Sequence, residues 1–240
     1  MYSPKDFESF YSNFNKFNSK LFENLSNTIS IDPKNILDIG CGTGTSTRAI
    51  SKAFKKSNVL GIDINEELIN HAKKLFIPPN VRFDTFSVEN FESLFLRFDL
   101  IVIKSALHLF DKNFDPLSLF LLLKDQGILC LIQKTPISIE SYWLMEKAKK
   151  NYAAEKNESK RKELIQRVLS DSNFSLETNK YGAPVSVPFK EYIRALKSKQ
   201  LSCLWNISET VIQKWITDHK KIQQTIDIFE EFDITLISKR

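Results

Sequence analysis

The decapeptide Asn35-Ile36-Leu37-Asp38-Ile39-Gly40-Cys41-Gly42-Thr43-Gly44 restricts the folds open to this chain more than any other stretch. Ile36, Leu37 and Ile39 form a short apolar run suited to a parallel strand buried on both faces, and the glycines end it abruptly. A tight strand-to-helix turn must follow. Glycines there tolerate positive φ and, lacking Cβ, let a ligand lie against the backbone, while a helix beginning near Thr45 offers unpaired N–H donors. A dinucleotide site would require Gly-x-Gly-x-x-Gly. Here the order is Gly-x-Gly-x-Gly, and Asp38 stands two residues before the first glycine. Its carboxylate would repel a pyrophosphate and suit a cationic ligand bearing an ammonium or sulfonium group.

The rest of the chain alternates around this turn. Phe7, Phe10, Phe14, Phe17, Leu21 and Leu25 recur at spacings of three and four, which predicts one amphipathic helix or two short ones over Asp6 to Ser26, lying across the ligand site. Thr45 to Phe54 reads as the first core helix. Val59 to Asp63 is a second buried strand and Asn65 to Leu75 a second helix, stopped by Pro78-Pro79. Val81 to Phe83, Phe98 to Ile103 and Ile128 to Gln133, the last introduced by Gly127, give three more strands. Strand and helix in alternation imply a parallel sheet with right-handed crossovers and a ligand at the carboxyl ends of its strands. After Pro136 the alternation fails: helices are expected over Ser141 to Asn157, Ser159 to Leu169, Phe189 to Ser198 and Ser208 to Lys221. A strand is expected at Phe174 to Tyr181, broken by Gly182-Ala183-Pro184, and another at Phe232 to Ser238.

Composition excludes several classes. With 240 residues, 42% hydrophobic and 26% charged, the chain fits one α/β domain carrying an insertion. Residues 1–136 would hold the N-terminal helix and the ligand-binding core, and 137–240 a helical cap and late strands of the same domain. Met1 to Lys20 lacks the apolar core of a secretion signal, and the run Leu117 to Leu123 is too short to span a bilayer, so a cytoplasmic protein is expected. Cys41, Cys130 and Cys203 are scattered and suggest neither a disulfide framework nor a metal site. The net charge of +5 sits mostly in the second half: residues 1–134 hold 16 basic and 15 acidic side chains, residues 135–240 hold 18 and 14. Lys147 to Lys162, with seven basic and two acidic residues, reads as a solvated helix face, with attraction of an anionic substrate or nucleic acid as the alternative.

Leu37-Asp38-Ile39-Gly40-Cys41-Gly42-Thr43-Gly44 resembles the first motif of the class I S-adenosylmethionine-dependent methyltransferases. The resemblance implies a Rossmann-like, seven-stranded, mostly parallel sheet with helices on both faces and a helical cap after the fifth strand. It also implies S-adenosylmethionine as cofactor. Asp63, 19 residues after Gly44, matches the family's acid that accepts hydrogen bonds from the ribose hydroxyls; an N-cap for the next helix is its other reading. Ile64 would pack against the adenine. At the third strand's exit, where the family often carries Asp and a small or apolar residue, stand Ser87 and Val88, with Glu89 as a substitute. With Gly40, Cys41, Gly42, Gly44 and Lys104 these complete the expected cofactor set.

Lys104-Ser105-Ala106-Leu107-His108 carries neither the N-P-P-Y or D-P-P-Y run of nucleobase amino methyltransferases nor the Pro-Cys of RNA cytosine-5 enzymes. It is similar to the Ser-Ala-Leu-His stretch of small-molecule methyltransferases, which makes His108 the candidate general base; a structural histidine is the alternative. Tyr11, Tyr142, Trp143, Arg194 and Trp205 are candidates for an acceptor pocket, each aromatic having a core-packing alternative and Arg194 a pairing with Glu191. Gly42 to Arg48 and Phe189 to Arg194 are similar to the branch that includes trans-aconitate methyltransferases. The expected function is methyl transfer to a small organic acceptor, at a carboxylate or hydroxyl oxygen. The alternatives are an RNA or protein methyltransferase using the basic C-terminal half, and a non-catalytic scaffold. No membrane partner, nucleic-acid partner or metal is expected, and oligomeric state stays open.

Overall fold

The computed structural model describes residues 3–87, 90, 96–111, 114–135, 162–168, 170–171, 173–200, 204, 207–218 and 224–239. The expected helix over Ser141 to Asn157, most of the basic segment, and the candidates Val88, Glu89, Tyr142, Trp143 and Trp205 lie outside them.

The strands are β1 (Asn35–Ile39), β2 (Asn58–Asp63), β3 (Val81–Thr85), β4 (Phe98–Lys104), β5 (Leu123–Lys134), β6 (Phe174–Pro188) and β7 (Thr225–Lys239). They form one sheet in the order β3-β2-β1-β4-β5-β7-β6. The first five are parallel, and β7 runs antiparallel to both β5 and β6. The direction of chain growth reverses between β1 and β4, the place where a doubly wound sheet opens a crevice.

Alternate residues of the central strands feed two cores. Ile36, Leu100, Val102, Ile128, Cys130 and Ile132 face one side; Leu37, Ile39, Ile101, Ile103, Leu129 and Leu131 face the other. On the first side pack α1 (Pro4–Tyr11) and α2 (Asn15–Thr28), joined by a single 3-10 turn at Ser12–Phe14, so the phenylalanine periodicity resolves into two helices. The same core takes in α3 (Thr45–Ala53), α4 (Glu66–Lys74), α6 (Phe189–Lys197) and α7 (Glu209–Asp218). Leu164 and Val168 of α5 (162–168) pack on the second side, where Arg167 makes a two-pronged ion pair with Asp115 at 2.7 and 3.0 Å.

Three expectations about the strands need correction. Gly127 does not introduce β5, which begins at Leu123; the register against β4 slips between Phe98 and Leu100, with Gln126 at φ 64°, so the glycine lies inside a bulge. Gly182-Ala183-Pro184 does not break β6. That strand is at the sheet edge and pairs on one side only, with Pro184 opposite Phe229, so the missing N–H of proline is tolerated there. β7 likewise begins at Thr225, seven residues before Phe232. Where β5 stops at Lys134, opposite Phe232, β6 and β7 continue as a two-stranded arm beyond the carboxyl end of the parallel strands. Val185, Val187, Ile226 and Ile228 of that arm share the first core with Phe10 of α1 and Tyr192 of α6.

Candidate active site

The glycine turn is built from three residues with φ of 73°, 56° and 82° at Gly40, Gly42 and Gly44. Gly44 is the left-handed N-cap of α3, and a Cβ on it would lie 2.4 Å from the Phe83 ring. A Cβ on Gly40 would meet that of Ala106 at the same distance. Both glycines are therefore demanded by the approach of neighbouring elements. Arg48 fixes the turn from behind: it donates to the Thr43 carbonyl at 2.8 Å and to the carbonyls of Ala72 and Phe76 at the end of α4.

Asp63 closes the other end of the turn. One carboxylate oxygen accepts from the Gly42 N–H and the other from the Asn65 N–H, both at 2.9 Å. The cap of α4 is Asn65, whose side chain accepts from the Leu68 N–H at 3.1 Å, so the capping alternative for Asp63 falls away.

These residues open onto a cavity of about 430 Å³ at the carboxyl ends of the strands. Of the cofactor candidates, Gly40, Cys41, Gly42, Asp63, Ile64 and Lys104 line it, and Ile64 is 72% exposed. Gly44 and Ser87 do not, Gly44 because it is turned against Phe83. Asp38 does not line it either. Only 1% exposed, it accepts from Ser46 at 2.8 Å and Thr47 at 2.6 Å, and Ser46 stands between it and the cavity. Burial raises its pKa to about 6, against the lowering effect of these hydroxyls and of Lys104, and its Oδ1 has no partner among the described residues. Cys41 is buried and its thiol is pushed well up, first by desolvation and then by Asp38 and Asp63, so it stays neutral.

Tyr11 and His108 also line the cavity, Tyr11 from the end of α1 and His108 from a single 3-10 turn at Leu107–Leu109. Arg194 does not: the helical repeat places it beside Glu191 at 3.1 Å, and Glu191 accepts from Ser9 of α1 at 2.6 Å. Arg194 thus helps to hold α1 in place, together with Glu8, which accepts from Thr43 of the glycine turn.

Several lining residues carried no sequence motif. Phe7, Phe14 and Asn18 come from the N-terminal helical segment, and Lys134, Glu230, Phe232 and Gln200 from the far side. Lys134 ends β5 as Lys104 ends β4, and a lysine closing a buried strand was a legible signal. Glu230 was not: it reaches Lys134 at 2.7 Å because Phe232 is Lys134's cross-strand partner and Glu230 lies two residues along on the same face. Ser105, following Lys104, has φ 55° and a buried hydroxyl with no partner among the described residues. Among the described residues no cluster of three or more His, Cys, Asp or Glu could hold a metal ion, and no helix is long and apolar enough to cross a membrane.

A doubly wound sheet whose late strand β7 runs antiparallel between β5 and β6, a glycine turn after β1 and an acid ending β2 define the class: a Rossmann-like methyltransferase of the S-adenosylmethionine-dependent kind. The description Methyltransferase domain matches residues 32–184, more than half of the chain, and the chain belongs to that family. It is 40% identical over 86 residues to the malonyl-[acyl-carrier protein] O-methyltransferase of Bacillus cereus, covering 35% of this chain and 30% of that protein. To the enzyme of the same name from Acetivibrio thermocellus it is 29% identical over 104 residues, covering 42% and 36%. The chain spans between about a fifth and two fifths of the length of the curated relatives it matches. In three dimensions it is similar to the plantazolicin methyltransferase BpumL in complex with SAH, with a TM-score of 0.59 at 20% identity over 98% of this chain and 88% of that one.

Proposed function

We propose that the protein transfers the methyl group of S-adenosylmethionine to an oxygen of a small organic acceptor, a carboxylate or a hydroxyl. The observation that carries this reading is Asp63: each carboxylate oxygen is held by one backbone N–H, which fixes the group at the cavity wall and leaves a lone pair on each oxygen for a pair of ribose hydroxyls. Ile64, exposed beside it, offers an apolar face to a nucleobase, and Gly42 lines the same cavity. Asp38 sets a negative charge one hydroxyl behind the wall, where a sulfonium gains from it in a medium drier than water. These donors and surfaces fit a cationic nucleoside cofactor. The names of the two O-methyltransferase relatives support an oxygen acceptor.

When bound, the cofactor supplies an electrophilic methyl on a positively charged sulfur, which departs with the bonding electron pair. The residues of the chain then have three tasks. The glycine turn and Asp63 hold the nucleoside, and α1 closes over the turn through Phe7 and Tyr11 and excludes water. The far wall aligns the acceptor oxygen for in-line attack, which is where much of the acceleration of such a displacement arises. His108, which lines the cavity, takes the proton of a hydroxyl acceptor in this reading, and a carboxylate acceptor needs no base.

Calorimetric titration with S-adenosylmethionine and S-adenosylhomocysteine tests the cofactor, and transfer of a labelled methyl group to a panel of acids, alcohols and amines tests the acceptor. Binding of both cofactor forms, with label passing to acids or alcohols, is expected. Folded protein that binds neither would overturn the reading.

A further inference from the structure

Where β4, β5 and β7 reach the cavity, its wall carries two lysines and one carboxylate. Lys134 and Glu230 form an ion pair at 2.7 Å, with Glu230 only 1% exposed. Lys104 has no such partner: among the described residues no carboxylate lies within ion-pair distance of its ammonium, whose neighbour is the face of Phe232 at 4.8 Å. Two carbonyl oxygens of the cavity lining are also orphaned. Asn18 and Gln200 are each 3% exposed and line the cavity, and among the described residues neither Asn18 Oδ1 nor Gln200 Oε1 has a partner. The Gln200 amide nitrogen already donates to Ser198 at 2.9 Å, which fixes the orphaned end as an acceptor. Ser105 adds an unpartnered hydroxyl beside Lys104. Buried polar groups are rarely left so, because unmade hydrogen bonds and unpaired charges are expensive. Among the described residues three such orphaned atoms and a lysine with no carboxylate in ion-pair reach share one cavity, which describes the complement of a ligand.

We propose that this wall is the acceptor subsite, in which Lys104 and Ser105 hold a carboxylate, Asn18 and Gln200 accept from a hydroxyl or N–H on the same molecule, and Phe14 and Phe232 pack its apolar body. The proposal rests on the methyltransferase reading and names the acceptor class for it: an apolar carboxylic acid that also carries a hydrogen-bond donor. The charges around Lys104 support it. Burial brings its pKa down to about 8; Glu230 on β7 and Asp38 on β1 pull it up, and Lys134 on β5 pushes it down. Asp63 and His108 line the same cavity. The cation is therefore present at neutral pH but poorly compensated, and a carboxylate on its ammonium supplies what is missing.

The test is titration of the full chain, saturated with S-adenosylhomocysteine, with 4-(hydroxymethyl)benzoate, its neutral amide 4-(hydroxymethyl)benzamide, and 4-methylbenzoate, which lacks the donor. At pH 7 the first should bind about tenfold more tightly than either of the others. By pH 9.5 its advantage over the amide should largely vanish as Lys104 loses its proton. Lys104→Met should abolish that advantage at both pH values. Lys104→Arg, whose charge persists, should keep it at both, which a merely structural role for the lysine would not produce. Gln200→Leu should remove the advantage over 4-methylbenzoate alone. Equal affinity for acid and amide, a preference that survives in Lys104→Met, or no binding of any of the three overturns the subsite while leaving the cofactor site standing. Failure of S-adenosylhomocysteine itself to bind overturns the cofactor reading first and the acceptor assignment with it.

Discussion

Asp38 and Lys104 are ionisable groups held in places that disfavour their charges, and each leaves a signature in pH dependence. Folding raises the pKa of Asp38 from 3.8 to about 6, so the ionised carboxylate destabilises the fold, and stability falls as pH rises through the window from about 4 to 6. Asp38→Asn removes that charge, and at pH 7 the unliganded variant should be no less stable by thermal melting. The same change should weaken S-adenosylmethionine by about tenfold and S-adenosylhomocysteine, which lacks the sulfonium charge, by less than threefold in parallel titrations. Equal losses would show that Asp38 acts only by bracing α3. For Lys104 the sign is reversed: the folded state lowers its pKa from 10.5 to about 8, so the unfolded chain binds the extra proton and stability rises with pH between about 8 and 10.5. Lys104→Met should stabilise the unliganded protein by about 1 kcal/mol at pH 7 and by almost nothing above pH 10, a loss of benefit measurable by denaturant melts. Asp63→Ala should cut cofactor affinity at least tenfold by calorimetry, because it removes both the proposed ribose acceptor and the clamp on the Gly42 N–H.

The strands and helices differ in how much of themselves they disclose in sequence. β1, β2 and β4 end within a residue or two of where their apolar runs end, because a strand buried on both faces leaves an unbroken hydrophobic signal. β6 and β7 do not, since their outer portions expose alternate residues and their lengths depend on each other's pairing over 15 residues. The arm they form carries Glu230 and Phe232, so the far wall of the cavity was unreadable for the same reason. α1 was legible as an amphipathic helix; its attachment was not, because Glu8 to Thr43 and Ser9 to Glu191 join residues 35 and 182 positions apart. If α1 is a cover held by those two bonds, Glu8→Gln with Ser9→Ala should speed amide hydrogen exchange in residues 40–47 and weaken S-adenosylhomocysteine several-fold without altering exchange in β4. Unchanged exchange in the glycine turn would rule that role out.

Across the molecule, the sheet order sets the glycine turn at the end of β1 and Glu230 and Phe232 on β7, with Lys104 and Lys134 at the ends of the two strands between them. β1 and β7 are three strand spacings apart, roughly 14 Å, a span that the cavity bridges. Because both ends draw on elements from the whole chain, saturation with S-adenosylhomocysteine at about a hundred times its dissociation constant should stabilise the fold by about 2.7 kcal/mol, read as a concentration-dependent rise in melting temperature. The apolar periodicity, the Gly-x-Gly-x-Gly turn and the acid that ends the next strand were sufficient for the sheet and the methyltransferase class, because each is a local pattern whose chemistry is set by neighbours in sequence. The withdrawal of Asp38 behind Ser46, the pairing of Arg194 with Glu191, and the meeting of Lys104, Lys134, Glu230, Asn18 and Gln200 at one cavity depended on register and packing between distant segments. A chain written in order carries no record of which of its distant charges will face each other, and that is settled only when strands pair.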